Sequence, residues 1–159
     1  MIFLKKILVT TDLSPFSLAA LEYAVSFGML YTSKLYLLHV YEGKEGHHGK
    51  DAVGVHTEED ARAAVEEFVR MNVPAQTRLT TAVRRGAPAE EIKRFAQEEG
   101  IDLIVMASHG RTGLRHMVLG SVAERVVRLS SVPVLTVKPH PFREIMIQSE
   151  DVERDLHLR

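Results

Sequence analysis

The sequence has no cysteine among its 159 residues. That excludes a disulfide, a thiolate metal site and a cysteine nucleophile, and it suits a reducing compartment. It has no charge surplus either. Twenty basic and 21 acidic residues leave a formal net charge of −1, so the basic footprint of a nucleic-acid partner is missing. No apolar stretch approaches the roughly 20 residues that cross a bilayer. A secretory leader would put positive charge ahead of a longer apolar run, whereas Lys5 and Lys6 follow only a short opening and precede a brief β-like run. The expectation is a cytoplasmic protein with neither a membrane nor a nucleic-acid partner. Two nucleotide signatures are also absent: no Gly-Lys-Ser/Thr closes a phosphate loop, and no Gly-x-Gly-x-x-Gly opens a dinucleotide site. No internal repeat or second domain is visible, and a composition of 45% hydrophobic and 26% charged residues suits one domain with a substantial core.

What is present is a regular alternation. Ile7-Leu8-Val9, Leu35-Tyr36-Leu37-Leu38 and Leu103-Ile104-Val105-Met106 are unbroken apolar runs, as expected of parallel strands covered on both faces. Leu79, Thr81 and Val83 alternate, which predicts a more exposed strand. Pro133 introduces a last short strand, Val134 to Val137. Four helical patterns lie between. Ser14-Pro15 reads as a helix start, with Ser14 accepting from an open amide and Pro15 in the first turn; Leu18, Leu21, Val25 and Met29 follow at helical spacing. Thr57 caps a second helix, with Glu58, Glu59 and Asp60 in its first turn and a buried stripe of Ala61, Ala64, Val65 and Phe68. Pro74 closes it. Gly86-Ala87-Pro88 opens a third helix bearing Ile92, Phe95 and Ala96, and Gly100 suits its left-handed end. Ser121-x-x-Glu124 reads as a capping box on a fourth, with Val122, Val126 and Leu129 along one face. Residues 41–56 read as a polar loop. The order βαβαβαβαβ predicts an α/β fold: one open five-stranded parallel sheet, order 3-2-1-4-5, Rossmann-like, with helices on both faces.

In such sheets a ligand lies beyond the carboxyl ends of the strands where the strand order reverses. Here that point falls between the first and fourth strands. Thr10-Thr11-Asp12 ends the first. Ala107-Ser108-His109-Gly110 follows the fourth, and after nine intervening residues comes Gly120-Ser121. Glycines let backbone amides approach an anion closely. A helix start adds open amides and the positive end of the dipole, and the Ser121 hydroxyl is a further donor. Asp12 can accept bonds from ribose hydroxyls, as acidic residues do in other nucleotide folds. Capping a turn or helix is the plainer use of both Asp12 and Ser121. His109 has no carboxylate or nucleophile set beside it by the sequence, so no catalytic residue is assigned. His47, His48 and His56 match no standard metal-site spacing.

These residues resemble the ATP-binding branch of the universal stress protein family, which carries glycine, two residues, glycine, nine residues, then glycine and Ser or Thr. Gly110, Gly120 and Ser121 match that spacing. Ser108 to Leu114, Leu119 to Glu124, Thr11-Asp12, Leu38-His39-Val40 and Pro133 to Val137 are similar to the family as well. The first motif glycine is Ala107 here, a methyl group that a strand-end residue in β geometry tolerates. The similarity covers residues 1–138, which makes that stretch the expected nucleotide-binding domain and 139–159 a C-terminal tail.

The resemblance implies a regulatory protein of stress responses that binds ATP, accompanied by Mg²⁺ or Mn²⁺. It implies that Thr11 and Asp12 meet the nucleotide, with Asp12 on the ribose and the Val40 main chain on the adenine. Met106 and Ala107 would form the floor, and Gly110, Gly120, Ser121 and Val122 would hold the phosphates, with Arg111 near them. It implies a homodimer through the last strand, in keeping with apolar Val134, Leu135 and Val137 at a sheet edge. At most it implies slow ATP hydrolysis. Two rival expectations stand beside it. One is a dimerising interaction protein of the same fold with no bound nucleotide, which Ala107 keeps open. The other is a nucleotide-dependent enzyme, against which the missing phosphate-loop lysine counts.

Overall fold

The computed structural model describes residues 3–43, 57–109 and 119–138. Strand β1 (Lys6–Thr11) is central. β2 (Lys34–Tyr41) runs parallel on one side of it, in register from Lys6 opposite Lys34 to Thr11 opposite His39. Parallel β4 (Leu103–Ala107) lies on the other side, with Ile7 opposite Leu103. β3 (Leu79–Arg85) extends the sheet beyond β2, and β5 (Val134–Val137) extends it beyond β4. The order is β3-β2-β1-β4-β5, as the sequence predicts. Among the described residues no helix is long and apolar enough to cross a membrane.

The unbroken apolar runs follow from strand geometry: successive side chains point to opposite faces, and both faces are covered. Ile7, Val9, Leu35, Leu37 and Val105 join one core, under helices α1 (Leu18–Tyr31) and α2 (Glu58–Asn72). Leu8, Tyr36, Leu38, Ile104 and Met106 join the other, under α3 (Pro88–Glu99) and α4 (Ser121–Leu129). β3 is half-buried to exposed along its length, as its alternation predicts for an edge. At the amino edge, Asp102 ties β4 to β1: its Oδ2 accepts from the amides of Lys5 (2.8 Å) and Lys6 (2.9 Å).

The helix ends both follow and correct the sequence reading. Thr57 and Asp60 form a reciprocal capping box on α2. Pro88 occupies the first turn of α3, and Gly100 ends it at φ 63°. Ser14, however, caps nothing with its side chain. A 3-10 turn (Pro15–Ser17) intervenes, α1 begins at Leu18, and the Ser14 hydroxyl is turned back to Asp12. Nor does Ser121 cap α4. Gly120 is the capping residue, in extended conformation, and Ser121 is the first helical position, so Glu124 lies one place too far along to close a capping box. Of the face predicted for α4, Val126 is buried and Leu129 half-buried, while Ala123 takes the buried place expected of Val122, which is 37% exposed. Met29 is likewise half-exposed near the end of α1. The loop expected from residue 41 starts later, because Tyr41 still pairs with Arg85. Most of that loop, the tail 139–159 and the three loop histidines lie outside the described residues.

α1 ends without glycine. Thr32 adopts φ 55°, ψ 40° so that its amide, and that of Ser33, can reach the Gly28 carbonyl. A β-branched residue in the left-handed region is about 1–2 kcal/mol unfavourable, offset in part by the larger chain entropy that glycine loses on folding. Thr32→Gly should therefore stabilise the fold by about 1 kcal/mol, raising the midpoint of thermal unfolding by roughly 2–4 °C. A lowered midpoint would show that the Thr32 side chain contributes more than its backbone strain removes.

Candidate functional site

The carboxyl ends of β1 and β4 diverge into turns that lead to opposite faces of the sheet, and a crevice of about 270 Å³ opens between them. Its lining divides by chemistry. Leu38 and Val40 from β2, Pro88 and Ile92 from α3, Met106 from β4 and Val122 from α4 make an apolar wall. Thr10, Thr11, Asp12, Ser17, Ser108 and His109, with Gly120 and Ser121, bring polar groups. Thr11, Asp12, Val40, Met106, Ala107, Gly120, Ser121 and Val122 of the sequence-predicted set thus meet in one place. Gly110 and Arg111 lie outside the described residues.

The β1 turn is built by its own side chains. Asp12 Oδ1 accepts from the Ser14 amide at 3.0 Å and from the Ser14 hydroxyl at 2.5 Å, an Asx turn that fixes the carboxylate at the crevice rim. The plainer use of Asp12, organising a turn, is therefore real. Between them Leu13 sits at φ 63°, a conformation that disfavours a residue with a side chain by about 1–2 kcal/mol. The Leu13 amide donates to Thr11 Oγ1 at 2.9 Å. The Thr11 hydroxyl is thus engaged inside the turn.

The β4 turn is organised by main chain. Ser108 donates its amide to the Val137 carbonyl at 2.8 Å, and its carbonyl accepts from the Gly120 amide at 2.7 Å. The chain therefore leaves at Ser108 and returns at Gly120 with its two ends bonded together. α4 starts there. Its first intrahelical bond is from the Glu124 amide to the Gly120 carbonyl, and among the described residues no side chain caps the helix. The amides of Ser121, Val122 and Ala123, all crevice-lining residues, belong to the turn that a helix leaves without internal partners. With the helix dipole behind them they suit an anion. Ala107 is the last residue of β4, paired with Val137, and it is not among the residues at positive φ. Its methyl group therefore needs no conformation reserved for glycine.

Sequence reading assigned neither Pro88 nor Ile92 to the site. The topology supplies the missing signal: α3 and α4 share one face and pack on each other, so the first turn of α3 also reaches the carboxyl edge. Nor did it foresee that Ser108, 2% exposed, would bring its hydroxyl within 2.9 Å of His109 Nδ1. Among the described residues no cluster of three or more His, Asp or Glu could hold a metal ion. Asp12 is the one carboxylate among the lining residues described, which fits a divalent ion carried mainly by phosphate oxygens and waters, not one held by a protein cage.

The match to the universal stress protein family model spans residues 4–138. Sequence relatives include the universal stress protein MJ0531 of Methanocaldococcus jannaschii, 33% identical over 139 residues that cover 84% of this chain and 82% of the relative. Another is MJ0577 of the same organism, 33% identical over 153 residues that cover 84% and 94%. The solved structure of MJ0577 aligns with a TM-score of 0.72 at 32% identity, covering 89% of this chain and 100% of that one. A universal stress protein solved in complex with cAMP shares the fold, with a TM-score of 0.61 at 24% identity over 87% of this chain and 99% of that one.

Ser14→Ala removes the hydroxyl bond to Asp12 Oδ1 and should destabilise the fold by about 1.5–3 kcal/mol, as expected for a hydrogen bond to a charged group. Urea unfolding measures it; a change below the error of the fit would mean that the Ser14 hydroxyl adds nothing to the Asx turn.

Proposed function

This chain belongs to the universal stress protein family, and from that premise we propose that it is an ATP-binding regulatory protein of stress responses, with the nucleotide between the ends of β1 and β4. The observation that carries the reading is the open first turn of α4, facing the same crevice as a turn-anchored carboxylate and an apolar wall. An adenosine phosphate has those three parts: a flat apolar base, a diol and an anion. The base would lie along Val40, Ile92 and Met106, with the Val40 main chain at its edge. Asp12 would accept from the ribose hydroxyls. The amides of Ser121 and Val122, beside Gly120, would hold the phosphates, with Gly110 and Arg111 contributing from the intervening loop.

Mg²⁺ or Mn²⁺ would enter with the nucleotide and neutralise part of its charge. The cAMP complex concerns a protein of the same fold below 25% identity, so the nucleotide assignment rests on the residues of this crevice. No catalytic role is assigned, and hydrolysis, if it occurs, would be slow. The protein would work in the cytoplasm, as one domain over 1–138 followed by the tail 139–159.

β5 ends the sheet, and its Val134 and Leu135 are half-buried. We assign this edge to a homodimer in which two copies pair β5 antiparallel. Dimerisation without a nucleotide is the second reading.

Calorimetric titration with ATP, with and without Mg²⁺, separates the two readings: saturable heat supports the first, and the absence of heat or of any thermal shift supports the second. Gly120→Val should weaken ATP binding more than tenfold by obstructing the approach to the amides. Gly120→Asp is the sharper variant. A carboxylate at the capping position satisfies the open amides and opposes phosphate, so stability should hold or rise by a few tenths of a kcal/mol while binding is lost. Normal ATP binding by either variant would contradict the placement of the phosphates. For the dimer, sedimentation at micromolar concentration should give twice the monomer mass. A monomer, unchanged on deleting 139–159, would contradict it.

A further inference from the structure

Beside the crevice lies a set of buried polar side chains for which the proposed nucleotide contacts give no sufficient reason: Thr11, Ser14, Ser17 and His39, each less than a tenth exposed. By strand alternation Thr11 and His39 share the α1 face with Val9 and Leu37. The strand residues that join the core on that face, Ile7, Val9, Leu35, Leu37, Val105 and Val137, are aliphatic. Polar groups there are unfavourable unless they are bonded, and here they are bonded to one another in a fixed direction.

The Leu13 amide donates to Thr11 Oγ1 at 2.9 Å. Thr11 Oγ1 and Ser17 Oγ are 2.7 Å apart, and Ser17 Oγ donates to the Ser14 carbonyl at 2.8 Å. A hydroxyl has one proton. That of Ser17 goes to the Ser14 carbonyl, so Thr11 is the donor to Ser17. His39 Nδ1 lies 2.9 Å from the Thr11 carbonyl. A carbonyl only accepts, so Nδ1 carries the proton and donates. The chain of bonds therefore runs from the Leu13 amide through two hydroxyls to the Ser14 carbonyl, with His39 holding the Thr11 main chain from the neighbouring strand. It encloses Leu13, which is left-handed, and its neighbour Asp12.

We propose that Thr11, Ser17 and His39 are positioning residues: their relay holds Leu13 left-handed and thereby sets the direction in which Asp12 is presented to the crevice ligand. Thr11 then acts through the turn, not through contact with the nucleotide. The consequence for affinity rests on the reading that Asp12 meets the ribose. The consequence for the turn does not.

Two measurements on the same samples keep these apart: hydrogen exchange at the Leu13 amide of the ligand-free protein, and ATP affinity by calorimetry well below the unfolding temperature. In Thr11→Val and in Ser17→Ala the Leu13 amide should exchange at least tenfold faster, and ATP should bind at least tenfold more weakly. The double variant should be no worse than the more affected single one, because either change breaks the same chain. Thr11→Ser should restore both readouts, and His39→Leu should move both in the direction of Thr11→Val. A general loss of stability would lower the unfolding temperature yet leave ATP affinity unchanged in the cold, and that result overturns the proposal, as does unaltered Leu13 exchange. If Thr11→Val does not fold, Ser17→Ala carries the same test. If the wild-type protein binds no ATP, the nucleotide reading fails. The relay is then judged on exchange alone: faster exchange in the variants supports it and unchanged exchange overturns it.

Discussion

The pairing of β1 on both edges is the constraint on which the rest depends. Because β2 and β4 flank it in parallel, the chain must leave β1 and β4 toward helices on opposite faces, α1 on one and α4 on the other. The two connections cannot pack on each other at the point of departure, and the gap between them is the crevice. Its position is thus fixed by topology before any side chain is chosen. The all-apolar alternation of Ile7, Leu8 and Val9 maintains that topology, since each is fully buried and a one-residue slip would exchange the contents of the two cores.

Within that gap the protein forgoes local stability in several places at once. Gly120 caps α4 where a side chain could have satisfied the amides. Leu13 holds a left-handed conformation that glycine or asparagine would adopt more readily. Hydroxyls and an imidazole (Thr11, Ser17 and His39) occupy buried positions beside a largely apolar core. Each departure is unfavourable alone, and they converge on one crevice, whereas the opposite edge of the sheet is fastened by Asp102 to the amides of Lys5 and Lys6. Thr32 is a separate strained position at the far end of α1, but several compromises gathered at one site are the pattern expected of a binding site.

How much of this could be read from the sequence follows from the range of each interaction. The buried strands, the strand order, the Thr57 cap and the left-handed Gly100 rest on local patterns and were legible. So was the meeting of Asp12 with Ala107 and Gly120, which follows from strand order; Val40 and Met106 were reached only through the family resemblance. Ser121-x-x-Glu124 misled because a capping box and a glycine-capped helix differ by one residue in where the helix begins, which sequence does not fix. Ser14 misled because its hydroxyl had a stronger acceptor nearby, the Asp12 carboxylate. Pro88 and Ile92 escaped because their place in the crevice depends on α3 packing against α4, a tertiary contact with no local signature. Thr32 escaped because nothing in its type announces a left-handed residue.

The claim that open amides at the start of α4 and the carboxylate of Asp12 face one nucleotide is tested most directly by following backbone resonances of isotope-labelled protein as ATP is added. The expected result is saturable displacement of the amide signals of Asp12, Ser121, Val122 and Ala123, with little change in the groove at the other end of the sheet around Val25, Met29 and Leu79. Shifts confined to that distant groove, or no shift at millimolar ATP, would contradict it.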